Sequence, residues 1–322
     1  MARSLDFEKP IQEIYDKIAD LKRLTNENQI DFTEEINMME KRAQVLRSKI
    51  YHNLSPIQTL QIARHPERPG FADYTQSVFK DFTELHGDRV FGDDTALVGG
   101  LAFLDDQGVM VIGHQKGKDT KSNIYRNFGM GQPEGYRKAM RLMYLAQKMN
   151  KPIITLVDTP GAYPGKGSEE RGVAEAIARN LQEMMELTVP VVVVITGEGG
   201  SGGALGISIG NTVAMLEHTI YSVISPEGCA SILYRDSKKV ETALENLQVR
   251  AEDLKRLGVI DEIIPEPTGG AHHDPDKMAK ILKKYLVQEV ARLKTYTINK
   301  LKDERYKKFR KLGIFTETQS EK

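Results

Sequence analysis

Two stretches place glycines where an apolar run ends: ITLVDTPGAYPG at 154–165 and VVVVITGEGGSGGALGI at 191–207. Each reads as a strand, a glycine-rich loop and a helix. Without a Cβ the backbone can approach a ligand closely and aim amide N–H groups at it, and the following helix start adds positive potential. Such loops bind phosphates, or oxyanions that form during a reaction. The second loop fits three patterns. Gly197, Gly199 and Gly202 satisfy the dinucleotide fingerprint G-x-G-x-x-G, with Glu217 as the acidic residue expected about 20 positions on. That fingerprint belongs in a first βα unit, however, and here several strands precede it. Gly199, Ser201 and Gly203 satisfy G-x-S-x-G, the nucleophile elbow, and Asp236 followed by His272 or His273 supplies the order of a triad, the histidines from a polar loop. The third reading is an oxyanion hole built only from the backbone N–H groups of Gly202 and Gly203. A glycine hinge for close helix packing is the plain alternative, and two such loops exceed what packing needs.

Several charged residues near these loops have a default reading. Glu198 reads as a solvated loop acid rather than a general base. Lys116, Lys118, Arg171 and Arg179 read as solvated surface cations, and His114 as a packed or hydrogen-bonded loop histidine.

The elements that must position the loops follow from periodicity. Apolar runs at 96–104, 108–113, 152–158, 189–196, 212–216, 221–224 and 259–264 read as strands. Helices are expected between them at 135–149, 169–187, 202–209, 227–234 and 239–258, with Val173, Ile177, Leu181 and Met184 on one face of the second. This alternation is an α/β layer pattern. Upstream, Ile11, Ile14, Ile18 and Leu21, then Phe32, Ile36, Met39, Ala43, Leu46 and Ile50, predict two amphipathic helices separated by the polar stretch 26–29. Asp31 with Glu34 is a cap and N3 pair for the second. The one-sided stripe needs a partner surface, and a structural arm is the simplest role. After a loop with Pro66, Pro69 and Gly70, the residues Tyr74, Val78, Phe82 and Leu85 suggest one more helix. From Pro275 the tail is helical and basic, ending in DERYKKFRKLGIF, and reads as a solvated charged face.

Composition narrows the function classes. Lys+Arg and Asp+Glu are both 45 in 322 residues, so no global charge steers the chain to nucleic acid or an anionic membrane. The single cysteine, Cys229, excludes an internal disulfide and a zinc ribbon within this chain, and no metal is expected in it. No apolar run reaches the roughly 18 residues of a membrane span, and MARSLDFEKP lacks the apolar segment of a signal peptide. A cytoplasmic protein is expected.

The order of strand, DTPGAYPG, helix, strand, GEGGSGGALG, helix, strand, SVISPEGCASIL, helix and RLGVIDEII resembles the crotonase superfamily. More closely it is similar to the family of α subunits of the bacterial acetyl-CoA carboxylase carboxyltransferase. LDFEKPI, QIARHPERP, ELHGDR, VIGHQKGKDTK, NFGMGQPEGYRKAMRLM, RGVAEAIARNL and PEPTGGAHHD extend the likeness over nearly the whole chain. The resemblance implies an α/β, crotonase-like (ClpP/crotonase) spiral of ββα units at 53–296, preceded by a helical hairpin at 1–52 and followed by a basic helical tail at 297–322. It implies transfer of carboxyl from N-carboxybiotin, carried covalently by a partner protein, to acetyl-CoA, giving malonyl-CoA for fatty acid synthesis. Both substrates pass through enolate-like states there, which preorganised N–H donors stabilise without a protein nucleophile. Gly202 and Gly203 are carried over as the oxyanion donors to biotin, Gly199 and Gly200 as residues shaping the pocket, and Gly161 and Ala162 as its walls or second donors. The partners implied are a carboxyltransferase β subunit with the zinc ribbon and the acyl-CoA side, the biotin carboxyl carrier protein and biotin carboxylase, in an assembly of two α and two β. The stretches 114–121 and 127–137 share the likeness without a derived role.

Overall fold

The computed structural model describes residues 5–28 and 31–313. Fourteen α-helices, two short 3-10 helices and eight strands are formed among them. Helices α1 (Lys9–Asn28) and α2 (Thr33–His52) make an antiparallel hairpin, followed by α3 (Pro56–Ala63), α4 (Phe71–Ser77) and β1 (Lys80–Glu84). Strands β2 (Leu97–Leu104) and β3 (Gln107–His114) lead through α5 (Thr120–Tyr125) and α6 (Pro133–Lys148) to β4 (Ile153–Thr159). Then come α7 (Lys166–Glu170), α8 (Val173–Met185), β5 (Val191–Gly200), α9 (Ser201–Leu205), β6 (Thr212–Leu216) and β7 (Ile220–Ser222). The chain continues with α10 (Pro226–Tyr234), α11 (Val240–Leu247), α12 (Ala251–Arg256), β8 (Glu262–Ile264), α13 (Pro275–Lys294) and α14 (Ile298–Arg310).

The strands form one sheet in the order β1-β2-β3-β4-β5-β6-β8, with β7 pairing the far end of β5. β1, β2 and β3 are antiparallel, whereas β3, β4, β5, β6 and β8 run parallel. Parallel strands covered on both faces read as continuous apolar runs, and Val191 to Ile195 at the centre of the sheet are wholly buried. Val191, Val193 and Ile195 pack with Tyr136, Leu142 and Met143 of α6 and Met184 of α8. Val192 and Val194 face the other way, onto Met278, Leu282 and Leu286 of α13. Each such side chain contributes about 1.5–3 kcal/mol by leaving water. A charged residue at Val193 would break the layer.

The register of β5 on β4 jumps from Val157↔Ile195 to Thr159↔Gly199, so β5 carries two extra residues against β4. This bulge re-aims the end of the central strand, a common device beside functional loops. It makes room for the Asp158 carboxylate, whose Oδ1 lies 2.3 Å from where a Cβ of residue 197 would be. Only glycine fits there.

Several expected helices are changed by tertiary structure. The stretch 74–85 is not one helix: α4 ends at Ser77, and β1 pairs antiparallel with β2. Phe82 keeps its apolar contact from the strand, edge-on to Phe71 at 5.8 Å. The expected 169–187 helix divides at Gly172 (φ 78), and 239–258 divides at Gln248 (φ 51). The 202–209 helix stops after one turn at Leu205. Helix α1 continues to Asn28 through the stretch expected to separate the hairpin. Asp31 accepts from Thr33 N, but Phe32 occupies the cap position of α2. Helix α3, not foreseen, carries a recognisable start, with Ser55 and Gln58 capping one another and Pro56 at the first position.

The basic tail is also more than a solvated face. Arg305 is fully buried. Its guanidinium donates to the carbonyls of Met184, Met185, Leu187 and Val189 and to Asn211 Oδ1, closing the C-terminal end of α8. A cation at carbonyls that have no helical partner is favourable on both hydrogen-bond and dipole grounds. Lys308 pairs with Asp261 at 2.5 Å. Residues 314–322 of the expected tail lie outside the described residues.

Candidate functional site

Parallel-sheet topology places the two glycine loops side by side, because β4 and β5 are neighbours and both loops leave the C-terminal ends of their strands. This edge is where open α/β sheets bind ligands. The loops touch backbone to backbone. A Cβ on Gly203 would lie 2.3 Å from the Gly161 carbonyl carbon and 2.5 Å from Ala162 N, and one on Gly200 would lie 2.1 Å from the Pro160 oxygen. Gly199 faces the Tyr221 ring of β7. Gly200 and Gly203 are therefore required for the approach of the loops, and Gly199 for the fit of β7, so the packing explanation holds for part of the motif. Gly202 differs, with only Ile177 within 4 Å of its Cβ position, and Gly161 has nothing there.

The amides at the start of α9 have no intrahelical carbonyl within reach, and those of Gly202 and Gly203 bond to no protein acceptor among the described residues. The Gly203 carbonyl is held from behind by the Tyr136 hydroxyl at 3.3 Å. Asn180 of α8 donates to Tyr136 O and Gly206 O, which fixes the base of α9. Gly161 N donates to Thr159 Oγ1, whose hydroxyl returns a bond to Gly161 O. That occupies the Gly161 amide.

Behind the loops lies a charged chain that the sequence did not disclose. Glu198 is 6% exposed rather than solvated. Its carboxylate accepts from Arg64 Nε of the residue after α3 at 2.7 Å and from Lys116 Nζ at 3.1 Å. Lys116 also meets Asp158 Oδ1 at 2.7 Å, and Arg64 continues to Glu227 of α10 at 2.5 Å. Burial would push Glu198 up, but the Lys116 and Arg64 charges outweigh it and hold its carboxyl below the usual range. Burial would pull Lys116 down, and the Asp158 and Glu198 charges more than offset that. Glu198 thus stays ionised near neutral pH and is a weak base with no proton to give. Lys116, expected to solvate a loop, is a buried-side partner; Lys118 remains at the surface on Asp73. Arg68, buried with Glu266, donates to Thr196 O in the same bulge.

The remaining candidates separate. Arg171 is not a free cation: it forms a fork on Glu134, reaches Gln132, and lies over the Phe91 ring at 4.5 Å. Arg179 keeps its surface pairing with Glu183. His114, at the end of β3, is 1% exposed, and burial with the neighbouring Lys116 charge pushes it down to about 3 against the opposing pull of the Gly203 backbone. The triad order does not assemble. Asp236 caps a turn through Lys238 N, His272 stacks on His65 at 4.0 Å, and His273 meets Arg47. Ser201 has φ 50, left-handed for a non-glycine residue, yet none of those groups is its partner. Glu217, the acid of the dinucleotide reading, accepts from Glu266 N instead. Of the missed residues, Asp158 was visible in DTPG; Arg64 and Glu227 had no local signal.

Comparison with known proteins adds to this geometry. The sequence profile of the family described as acetyl co-enzyme A carboxylase carboxyltransferase-like matches residues 4–313. The acetyl-coenzyme A carboxylase carboxyl transferase subunit alpha of Geobacter metallireducens is 56% identical over 313 residues, covering 97% of this chain and 98% of that one. The subunit of the same name from Anoxybacillus flavithermus is 55% identical over 319 residues, 99% and 98%. Among solved structures, transcarboxylase 12S superposes with a TM-score of 0.53 at 21% identity over 69% of this chain and 42% of that one. The beta subunit of Pseudomonas aeruginosa geranyl-CoA carboxylase gives 0.55 at 17% identity over 76% and 46%. Both likenesses are of fold, the crotonase-like α/β architecture.

Proposed function

This chain belongs to the acetyl co-enzyme A carboxylase carboxyltransferase-like family, and on that premise we propose that its two abutting glycine loops are the biotin side of a carboxyl-transfer site. The chain is the α subunit of a biotin-dependent carboxyl transferase, moving a carboxyl group from N-carboxybiotin on a carrier protein to acetyl-CoA to form malonyl-CoA. The observation that carries this reading is the match of more than half identity over nearly the whole chain.

N-carboxybiotin supplies the activated carboxyl group. The protein groups present fit it, because the Gly202 and Gly203 amides are unspent on protein acceptors and no side chain fills the space at Gly161. Those amides would donate to the ureido oxygen as it gains charge, and removing one such donor typically costs about 10²–10³ in rate. Gly200 lets the loops close up and Gly199 seats the end of β5 against Tyr221, which together shape the pocket, and Gly161 and Ala162 form the facing wall. No acid or base is needed from Glu198, which its two cations hold ionised. That weighs against a self-contained hydratase or decarboxylase, which needs a group able to exchange a proton.

One set of loops serves one substrate. The acyl-CoA side is then brought by a β subunit bearing the zinc ribbon, and the assembly is two α with two β in the cytoplasm, served by biotin carboxylase and the carrier protein. Exposed apolar residues flank the loops as an interface requires: Phe128 beside the first, and Val223, Ile232 and Leu233 beyond β7. The test is mass measurement of the purified chain with and without β, alongside malonyl-CoA formation from the carboxylated carrier. Activity is expected only for the assembled pair, and full activity of this chain alone would overturn the two-subunit reading.

A further inference from the structure

We propose that Lys116 is the positioning residue that sets the spacing of the two glycine loops, acting through the carboxylates of Asp158 and Glu198. Its effect on turnover rests on the functional reading above; its effect on loop geometry does not.

The argument is one of placement. Asp158 is the last residue but one of β4, three before Gly161, and Glu198 immediately precedes Gly199. They are the side chains from which each loop departs. One ammonium, two residues past the end of β3, reaches both, at 2.7 Å and 3.1 Å. Asp158 Oδ1 also accepts the Glu198 N–H at 2.9 Å, so the bulge in β5 hangs on the same carboxylate. The β4 and β5 ladder is interrupted between Val157 and Thr159, so at the bulge itself these carboxylate contacts stand in for regular backbone pairing.

The other titratable groups around the pair are Arg64, His65 and Arg68 of the turn after α3, Asp73 and Tyr74 of α4, His114 of β3, Lys118, which is paired with Asp73, Glu227 of α10 and Glu266 after β8. Arg68 is matched by Glu266. Lys116 and Arg64 therefore face three carboxylates, those of Asp158, Glu198 and Glu227. Without Lys116, Arg64 would serve Glu198 and Glu227 alone, and Asp158 would keep only the field of Arg68, which is already spent on Glu266. Carboxylates crowded in that way either move apart or take up a proton, and moving apart separates the loops.

The sign of the pH effect follows. In Lys116→Met the loops are displaced when both carboxylates are ionised and return toward their places when the pair binds a proton, so the defect is larger at high pH.

The experiment uses the full chain assembled with its β subunit. Amide hydrogen exchange of peptides covering 158–165 and 197–205 is followed in Lys116→Met at about pH 8.5 and about pH 6, against the parent under the same conditions. kcat and KM for the carrier are measured in parallel. The expected result at the higher pH is exchange in both loops faster than in the parent by about tenfold or more, with kcat reduced by a similar factor and KM for the carrier within about threefold. Both defects should shrink at the lower pH, and Lys116→Met combined with Glu198→Gln should restore both at the higher one. Parent-like exchange in Lys116→Met at high pH would overturn the proposal. So would a defect indifferent to pH and not rescued by Glu198→Gln, since that describes lost packing. If Lys116→Met does not fold, recovery of folding and loop protection in the charge-balanced double variant supports the role, and continued failure refutes it. If the parent assembly transfers no carboxyl group, the functional reading falls, and the exchange data still decide the role of Lys116.

Discussion

Gly203→Ala is the most direct probe of how the loops make a site. The new methyl would point at the peptide joining Gly161 to Ala162, 2.3 Å from the Gly161 carbonyl carbon and 2.7 Å from its oxygen. Non-bonded carbons rest at about 3.5–4.0 Å, so the loops must part by about 1 Å to admit it. The obstacle is backbone, with no rotamer that can yield. Overpacking of this kind costs about 1–3 kcal/mol in stability. A displacement of about 1 Å between catalytic donors and substrate can cost about 10²-fold in rate. We therefore expect assembled Gly203→Ala enzyme to lose about 10²-fold in kcat for malonyl-CoA formation, although its amide donor is chemically intact. Gly202→Ala is the stability control. Its methyl meets only the Ile177 side chain, at 3.5 Å, an ordinary contact. Alanine there should leave Tm unchanged or raise stability by up to about 1 kcal/mol through the unfolded chain. The assay is steady-state turnover with saturating carboxylated carrier, together with thermal melts of both variants. Turnover of Gly203→Ala within twofold of the parent would refute the close-approach argument, as would equal destabilisation by the two substitutions.

Ser201→Ala should keep most carboxyl transfer, because the chemistry needs amides and no hydroxyl nucleophile; covalent labelling of Ser201 by a serine-directed phosphonate, with matching loss of activity, would revive the hydrolase reading. Arg305→Met removes the donor to four carbonyls and to Asn211 Oδ1 and should destabilise the chain by about 3–5 kcal/mol in urea unfolding, whereas a loss below about 1 kcal/mol would show those carbonyls to be served otherwise. Stability should also fall as the medium is acidified below about pH 6.5. Burial pushes both His114 and His272 down to about 3, so the unfolded chain binds more protons than the native one between those values. Asp94, pushed up to about 6 by burial, opposes one of them from pH 6 to 3.8. The net slope expected from these groups there is one proton, about 1.4 kcal/mol per pH unit, and pH-independent unfolding free energies between pH 4.5 and 6 would contradict it.

What could be read from the sequence was local. The run Val191 to Ile195 is apolar at every position because both faces of a central parallel strand are covered, and that pattern needs no knowledge of what covers it. The α8 stripe and the strand-glycine-helix order around both loops are visible for the same reason, and the family likeness rests on that ordered set of segments. Local signals also misled. Tyr74, Val78 and Phe82 satisfy a helical period, yet the antiparallel edge of β2 claims 80–84 as a strand. Gln248 interrupts a helical pattern with a left-handed residue that no propensity marks.

The site depended on distance in the chain. Arg64 and Glu198 are 134 residues apart, Lys116 and Glu198 82, and Lys116 and Asp158 42. A charged side chain alone in sequence reads as solvated because water is its default partner. Only the sheet order, with β3, β4 and β5 adjacent, brings those ends together and makes buried pairing available instead. The glycines divide in the same way. Their presence in two loops announced a backbone that must come close to something. That Gly200 and Gly203 are spent on each loop's approach to the other, while the Gly202 and Gly203 amides stay free to donate, was decided by the packing of one loop against its neighbour.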